Sequence, residues 1–405
     1  MKNIPITIPY IDNDETNEVA KVLASGWVAQ GKKVAELEKV VSAYECVDHG
    51  IATTSCTTAL HLALLQLGVN ERHDVIVPSF TFTASSNSVL YTRATPVFVD
   101  VSPDTYNIDP HNLEQLIQEK YDDKLNNKET GKQLKTVMAV SLFGLCADLP
   151  KINDIARRYG FSVLQDSACA FGAKINDKAE ADFGNLTCLS FHPRKSITTG
   201  EGGMVLTNDS RAATHMRSLR SHGATVSEID RHASTGYLLP EFNDLGYNYR
   251  MTDIQAAVGI AQMRKMNLIT NTRRDKAAKY EQLIDDMKIK FIKPPFVPDG
   301  YYHTFQSYVC VVDKGNMKLE EAGRFRNNIM SALATQGIAT RVGTHANHML
   351  GHYKKRYGFK PEDYKVSYML DKLTITLPLY VQMTDEDQLN VLQALVTAKN
   401  DLYGD

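Results

Sequence analysis

Between about residues 50 and 210, short β-branched apolar runs recur. They are DVIVPS (74–79), PVFVDV (96–101), TVMAVSLF (136–143), FSVLQD (161–166), TCLSF (187–191) and GMVLTN (203–208). Helix-like stretches separate several of them: TTALHLALLQLG (57–68), HNLEQLIQEK (111–120) and LPKINDIARRYG (149–160). Such alternation predicts an α/β fold, a mostly parallel sheet covered on both faces. The runs at 187–191 and 203–208 lie close together and leave room for an antiparallel member.

Two segments break the pattern. Glu119–Lys135 is charged and reads as a solvated excursion between a helix and a strand. Ser221–Asp244, with His232, Gly236 and Pro240, has little periodicity and reads as a long functional or mobile loop. After it, TDIQAAVGIAQMRKM (252–266) predicts a helix, opened by a Thr252/Gln255 capping box. Beyond about Asn267 the apolar density drops, with strands expected in FQSYVCVVD (305–313) and KLTITLPLY (372–380). At 405 residues the chain is too long for one small core. The expected organisation is an N-terminal arm and large α/β domain over 1–266, then a smaller α+β domain over 267–405.

Composition narrows the function classes. Apolar residues at 43% and charged residues at 23% are ordinary for a soluble globular protein. Lys and Arg total 45 against 47 acids, so no global basic field argues for nucleic acid. The first twenty residues carry acids and no long apolar run, which predicts neither a signal peptide nor a membrane span. The six cysteines are scattered, as expected for free thiols in a reducing cytoplasm.

The candidate chemistry centres on LSFHPRKSITTGEGGMVLTND (189–209). Lys195 stands between an apolar strand and a glycine-rich loop. A partly desolvated lysine there is expected to have a lowered pKa and to attack a carbonyl as a neutral amine. The glycines would suit a bulky ligand lying against the loop. Asp166 ends FSVLQD, at the carboxyl end of a strand, where open α/β sheets bind ligands; it reads equally as a helix N-cap. Ser55, Thr57 and Thr58 open a helix whose N-terminus can hold a phosphate or simply be capped. Ser190 is a further hydroxyl for the same anion. Phe80 and Phe82 follow a strand end, where an aromatic can stack on a planar ring or enter the core.

Other motifs fail. GWVAQGKK (26–33) nearly matches a phosphate loop, but Lys33 replaces the hydroxyl residue and a helix precedes it. No complete G-x-G-x-x-G fingerprint exists. THANHMLGH (344–352) sets His348 and His352 four apart but lacks the H-E-x-x-H glutamate, so no metal site is expected.

A lysine, a strand-end acid, a hydroxyl-rich helix start and an aromatic plate together match the needs of pyridoxal phosphate. With ASGWVAQGKKVAELEK, TTSCTTALHLALLQLGV, DVIVPSFTFTASSN, QDSACAFGAK and LGYNYRMTDIQAAVGIAQ, the chain resembles the DegT/DnrJ/StrS aminotransferases over nearly its whole length. The resemblance implies the aspartate-aminotransferase-like fold type I of pyridoxal phosphate enzymes. It implies a Schiff-base lysine in Lys195 and a pyridinium partner in Asp166. Thr57, Thr58 and Ser190 match phosphate contacts, and Phe82 the aromatic over the ring. Asn248 matches a contact from a neighbouring subunit, hence a homodimer. The implied reaction is amino transfer from L-glutamate to a keto-sugar, usually nucleotide-linked, for amino-sugar or cell-surface polysaccharide synthesis. The chain departs from the pattern at Cys56, at Cys169 (near the cofactor's phenolic oxygen) and over 340–353. His348 is the best match to the substrate-loop histidine, and Arg250 is a second candidate substrate contact. Rival readings are the same chemistry on a smaller phosphorylated ketone, a non-catalytic regulator that binds cofactor or sugar, and a zinc protein using His345, His348 and His352.

Overall fold

The protein is described from a computed structural model covering residues 3–226 and 239–404. A seven-stranded sheet forms its centre: β1 (His49–Thr53), β2 (His73–Pro78), β3 (Thr95–Val99), β4 (Gln133–Val140), β5 (Ser162–Asp166), β6 (Leu186–Ser190) and β7 (Gly203–Thr207). Their spatial order is β1-β7-β6-β5-β4-β2-β3. All pairings between β6 and β3 are parallel, while β7 runs antiparallel to both its neighbours. All six apolar runs are strands, and the antiparallel member is β7. Strand β1 (HGIAT) was not expected, because its histidine and glycine hide its period.

Alternation along a strand sends neighbouring side chains to opposite faces. Val75 and Val77 join a core with Leu60 and Leu64 of α3 (Cys56–Gln66), while Ile76 joins another with Leu113 of α5 and Ile152 of α6. Helix α4 (Thr83–Tyr91) packs on the α3 side; α5 (Pro110–Lys120) and α6 (Leu149–Tyr159) cover the opposite face. With both faces covered, the strands read as continuous apolar runs.

A separate core forms from β8 (Ile292–Lys293), β9 (Tyr308–Val312) and β10 (Thr374–Leu377), an antiparallel sheet, with later helices against it. Residue Ile4 belongs to this core, and its backbone bonds Gly337 and Ala339. The 21-residue helix Met266–Asp286 serves two cores: Met266 and Ile269 pack with the large sheet's helices, Ala277 and Tyr280 with the C-terminal elements.

Glu119–Lys135 is not simply solvated. Tyr121, Leu125 and Asn127 are buried, and Tyr121 and Asn127 donate hydrogen bonds of 3.0 and 2.7 Å to the buried carboxylate of Asp74. The segment returns because Asp74 needs partners away from water. Part of Ser221–Asp244, including His232 and Gly236, lies outside the described residues. No helix among the described residues is long and apolar enough to cross a membrane. All six cysteines are free thiols.

The phosphate-loop-like GWVAQGKK has its own anion. It leads into α2 (Lys32–Tyr44), whose N-cap Gly31 offers no side chain. The carboxylate of buried Asp253 fills the place, accepting from the N–H groups of Gly31, Val34 and Lys33 at 2.8, 3.0 and 3.1 Å. Orphan first-turn donors are thereby satisfied from a distant helix (Asp253–Arg264), whose own start carries the Thr252/Gln255 capping box. Replacing Asp253 by Ala should destabilise the protein by about 2–4 kcal/mol, since three N–H groups lose one charged acceptor. Thermal and urea unfolding measure this, and Asp253→Asn should recover part of the loss.

Candidate active site

Asp166 is the last residue of β5 and is buried, 3% exposed. Its Oδ2 accepts from Ser85 Oγ at 2.7 Å and its Oδ1 from the Ala168 N–H at 3.3 Å. Cys56 Sγ lies 4.0 Å from Oδ1. Burial pushes its proton affinity above the usual carboxylate range, only partly offset by Ser85, Ala168 and the charge of Lys195.

Lys195 follows β6 by five residues and is half-buried, its Nζ 3.0 Å from Cys169 Sγ. The expected lowering of its pKa is not found. Burial works in that direction, but Cys169, Cys56 and Asp166 favour the ammonium and leave the net shift upward. Asp166 and Lys195 also act on each other as opposite charges.

The start of α3 closes the triangle. Ser55 caps it, accepting from the Thr58 N–H, while Thr58 Oγ1 donates to Ser55 O at 2.8 Å and accepts from Ser55 N at 3.0 Å. Thr58's hydroxyl therefore works for the helix, and the remaining first-turn N–H groups are the natural anion donors. Gly203 pairs with Ser190 across β7 and β6. A Cβ on Gly203 would sit 2.4 Å from Ser55 C and 2.5 Å from Cys56 N. The glycine-rich run thus admits the protein's own α3 rather than a ligand. This close contact ties buried Ser190, the Lys195 loop and the anion-binding helix start together.

Phe80 is fully buried and packs edge-on against Phe143, whereas Phe82, at the N-cap of α4, is 59% exposed. Asn248 is exposed and pairs by backbone with Ser221. Arg250 pairs with neither Asp253 nor Glu241; its Nη1 donates to Ser221 Oγ at 3.2 Å. His348 corrects an expectation. It is 0% exposed, its Nδ1 is 2.7 Å from Ser79 Oγ, and burial lowers its pKa to about 4. A ring so enclosed holds the 345–349 segment against Ser79 and has no surface to offer a substrate. The three histidines do not converge on a metal: His345 faces Asp371, and His352 lies edge-on to Tyr353. Ser85 was missed as a site residue, though it sits in the polar run TASSN just after PSFTF.

The profile of the DegT/DnrJ/EryC1/StrS aminotransferases matches residues 9–396. The chain belongs to this family. It is 33% identical to the spore coat polysaccharide biosynthesis protein SpsC of Bacillus subtilis, over 97% of this chain and 96% of that protein. It is 33% identical to GDP-perosamine synthase of Caulobacter vibrioides, over 98% of each. A Streptococcus pneumoniae protein assigned as a sugar aminotransferase, in its PLP form, superposes with a TM-score of 0.86 at 27% identity, covering 99% of this chain and 100% of that one. Members are pyridoxal phosphate enzymes of fold type I, so this chain is a PLP-dependent transaminase.

The residues present fit the cofactor. A buried carboxylate held by two neutral donors suits a protonated ring nitrogen, a half-buried amine suits the aldehyde, and a helix N-terminus suits the phosphate.

Gly203→Ala should push α3 from β7 and weaken PLP binding about tenfold or more, as overpacking at backbone contact does; titrating apoprotein with PLP measures it. His348 is neutral in the fold to about pH 4 but titrates near 6.5 when unfolded. Its contribution is therefore complete above 6.5 and lost as the pH falls toward 4. The stability gap between wild type and His348→Gln should narrow across that window, as melting curves at several pH values would show.

Proposed function

We propose that the protein transfers an amino group from L-glutamate to a nucleotide-linked keto-sugar, in the cytoplasm, on the way to a cell-surface polysaccharide. The observation that carries this is buried Asp166 beside the start of α3, within electrostatic reach of Lys195. The acceptor class is supported by relatives named for GDP-perosamine and for spore coat polysaccharide. We assign PLP to the 1–266 unit, with 267–405 as the smaller domain.

In this reading Lys195 Nζ holds the cofactor's aldehyde carbon, and Asp166 keeps a proton on the ring nitrogen. Thr57 and Ser190, with the remaining first-turn N–H groups of α3, would receive the phosphate, Thr58 shaping that helix start, and Phe82 would cover the ring. When bound, PLP supplies the electron sink for breaking the donor's Cα–H bond. Lys195 Nζ would take the proton from that Cα and deliver it to the carbon the amine had held. Cys169 stays beside the amine. Ser85 and the Ala168 N–H keep Asp166 from turning away. Asn248 reaches a neighbouring subunit's site in a homodimer. Large apolar residues on its own segment, Phe242 at 62% and Leu245 at 85% exposed, support such a contact. Arg250 serves the substrate's anionic group.

An absorbance titration tests this. PLP-loaded wild type should show a visible band that L-glutamate bleaches, and Lys195→Ala should lack the band's amine-linked form. Asp166→Ala should slow bleaching by about 10²–10³-fold, equivalent to ~3–4 kcal/mol of lost stabilisation. A wild-type protein that takes up PLP but is untouched by glutamate would overturn the donor.

A further inference from the structure

Behind Asp166 lies a second buried carboxyl that the reaction does not use. Glu180 opens a short 3₁₀ turn (Glu180–Phe183) and is 1% exposed. One oxygen, Oε1, accepts from two hydroxyls: Ser141 Oγ at 2.6 Å and Ser167 Oγ at 2.5 Å. Its other oxygen lies 3.6 Å from Cys146 Sγ.

The two serines are not arbitrary. Ser141 is the residue after β4, and its N–H donates to Asp166 O at 3.0 Å. Ser167 is the residue after Asp166, and its N–H donates to Cys188 O of β6 at 2.9 Å. Ser141 Oγ also accepts from the Ala147 N–H at 2.9 Å. Glu180 therefore gathers the carboxyl ends of β4 and β5 at the turn that aims Asp166. A buried carboxyl is costly unless it is bonded, so its retention there without a cation beside it calls for a reason.

The surroundings are acidic. Asp166 and Glu45 face Glu180, and Cys146 bonds it. Glu45, also buried, accepts from the Gly172 N–H at 3.0 Å, and the charge of Lys174 acts on it. Burial lifts both glutamates to about 7, so Glu180 is not held there as half of an ion pair. What it supplies is a fixed acceptor for two hydroxyls.

We propose that Glu180 is a positioning residue for Asp166, acting through Ser167 and Ser141 to hold the Asp166 carboxylate where the cofactor's ring nitrogen meets it. This deepens the reading of the site above and rests on it. Since the acceptor matters and the charge does not, Glu180→Gln keeps the function and Glu180→Ala loses it.

The test uses the full chain. PLP affinity of the apoprotein and the rate at which L-glutamate bleaches the loaded protein are measured for wild type, E180A, E180Q, S167A, E180A/S167A and D166A, at a temperature well below each variant's melting point. Expected is a loss of about ten- to hundredfold in both readouts for E180A and S167A, the range for leaving a buried hydrogen-bond partner unpaired. E180Q should stay within about threefold of wild type, and the double variant should be little worse than either single, as one shared link requires. A structural role alone would lower the melting temperature and leave affinity and bleaching rate unmoved. That outcome in E180A and S167A, beside an impaired D166A, would overturn the proposal and leave the role of Asp166 standing. Wild-type behaviour of D166A would overturn the role of Asp166 and the proposal with it. Additive losses in the double variant would also overturn it, because Glu180 would then not act through Ser167.

Discussion

A carboxylate buried at the end of a parallel strand sets the terms for everything around it. Asp166 cannot reach water, and an isolated charge in that position is unfavourable by several kcal/mol. The fold offers it a hydroxyl, a backbone N–H and a lysine ammonium, and burial still raises its proton affinity. The unmet demand is for a cation on its open side. In the proposed reading a pyridinium would meet that demand, its proton held the more firmly because the acid has few competing partners. The same burial would make such a site selective for a protonated ring.

The site is assembled by contacts that hold backbone to backbone. Gly203 lets α3 approach β7, which fixes the anion-binding helix start against the strand pair that leads to Lys195. Asp253 does comparable work at α2, where a side chain from a distant helix replaces an external anion. In one place the protein fills a helix N-terminus with its own carboxylate; in the other it caps the helix with Ser55 and leaves donors over. The second arrangement can bind a phosphate, and the first cannot. GWVAQGKK and TTSCTTAL both look like phosphate motifs in one dimension, and only packing separates them.

Much of this was legible in the residues. The six apolar runs, the helices between them and the Thr252 cap follow from period and propensity, which act locally. Lys195 and Asp166 stood out because their neighbours were unusual for surface charges. What failed had non-local causes. The pKa of Lys195 depends on two thiols and an acid from two other segments, so burial alone pointed the wrong way. His348 stood in a motif that suggested substrate, yet the pairing of His345–Ala346 with Phe80–Thr81 seals it against Ser79. Glu119–Lys135 looked polar because its buried residues are spaced to satisfy Asp74 rather than to form a helix face. The order and boundaries of the units carry no such local signature, since Met266–Asp286 packs into two cores at once.

Two of the departures from the family pattern, Cys56 and Cys169, share a chemistry. Cys56 and Cys169 place thiols beside Asp166 and Lys195, the two groups whose charge matters most. A thiol is a weak donor and a weak acceptor, so it fills space near a charge without satisfying it. Burial pushes the Cys56 thiol well above its ordinary pKa. Asp166 therefore depends for strong hydrogen bonds on Ser85 and Ala168 alone, and its aim depends on the turn those bonds and Ser167 define. Where polar side chains would brace a carboxylate directly, this chain has sulfur, and the bracing moves one layer back, to the buried acceptor that grips the turn from behind.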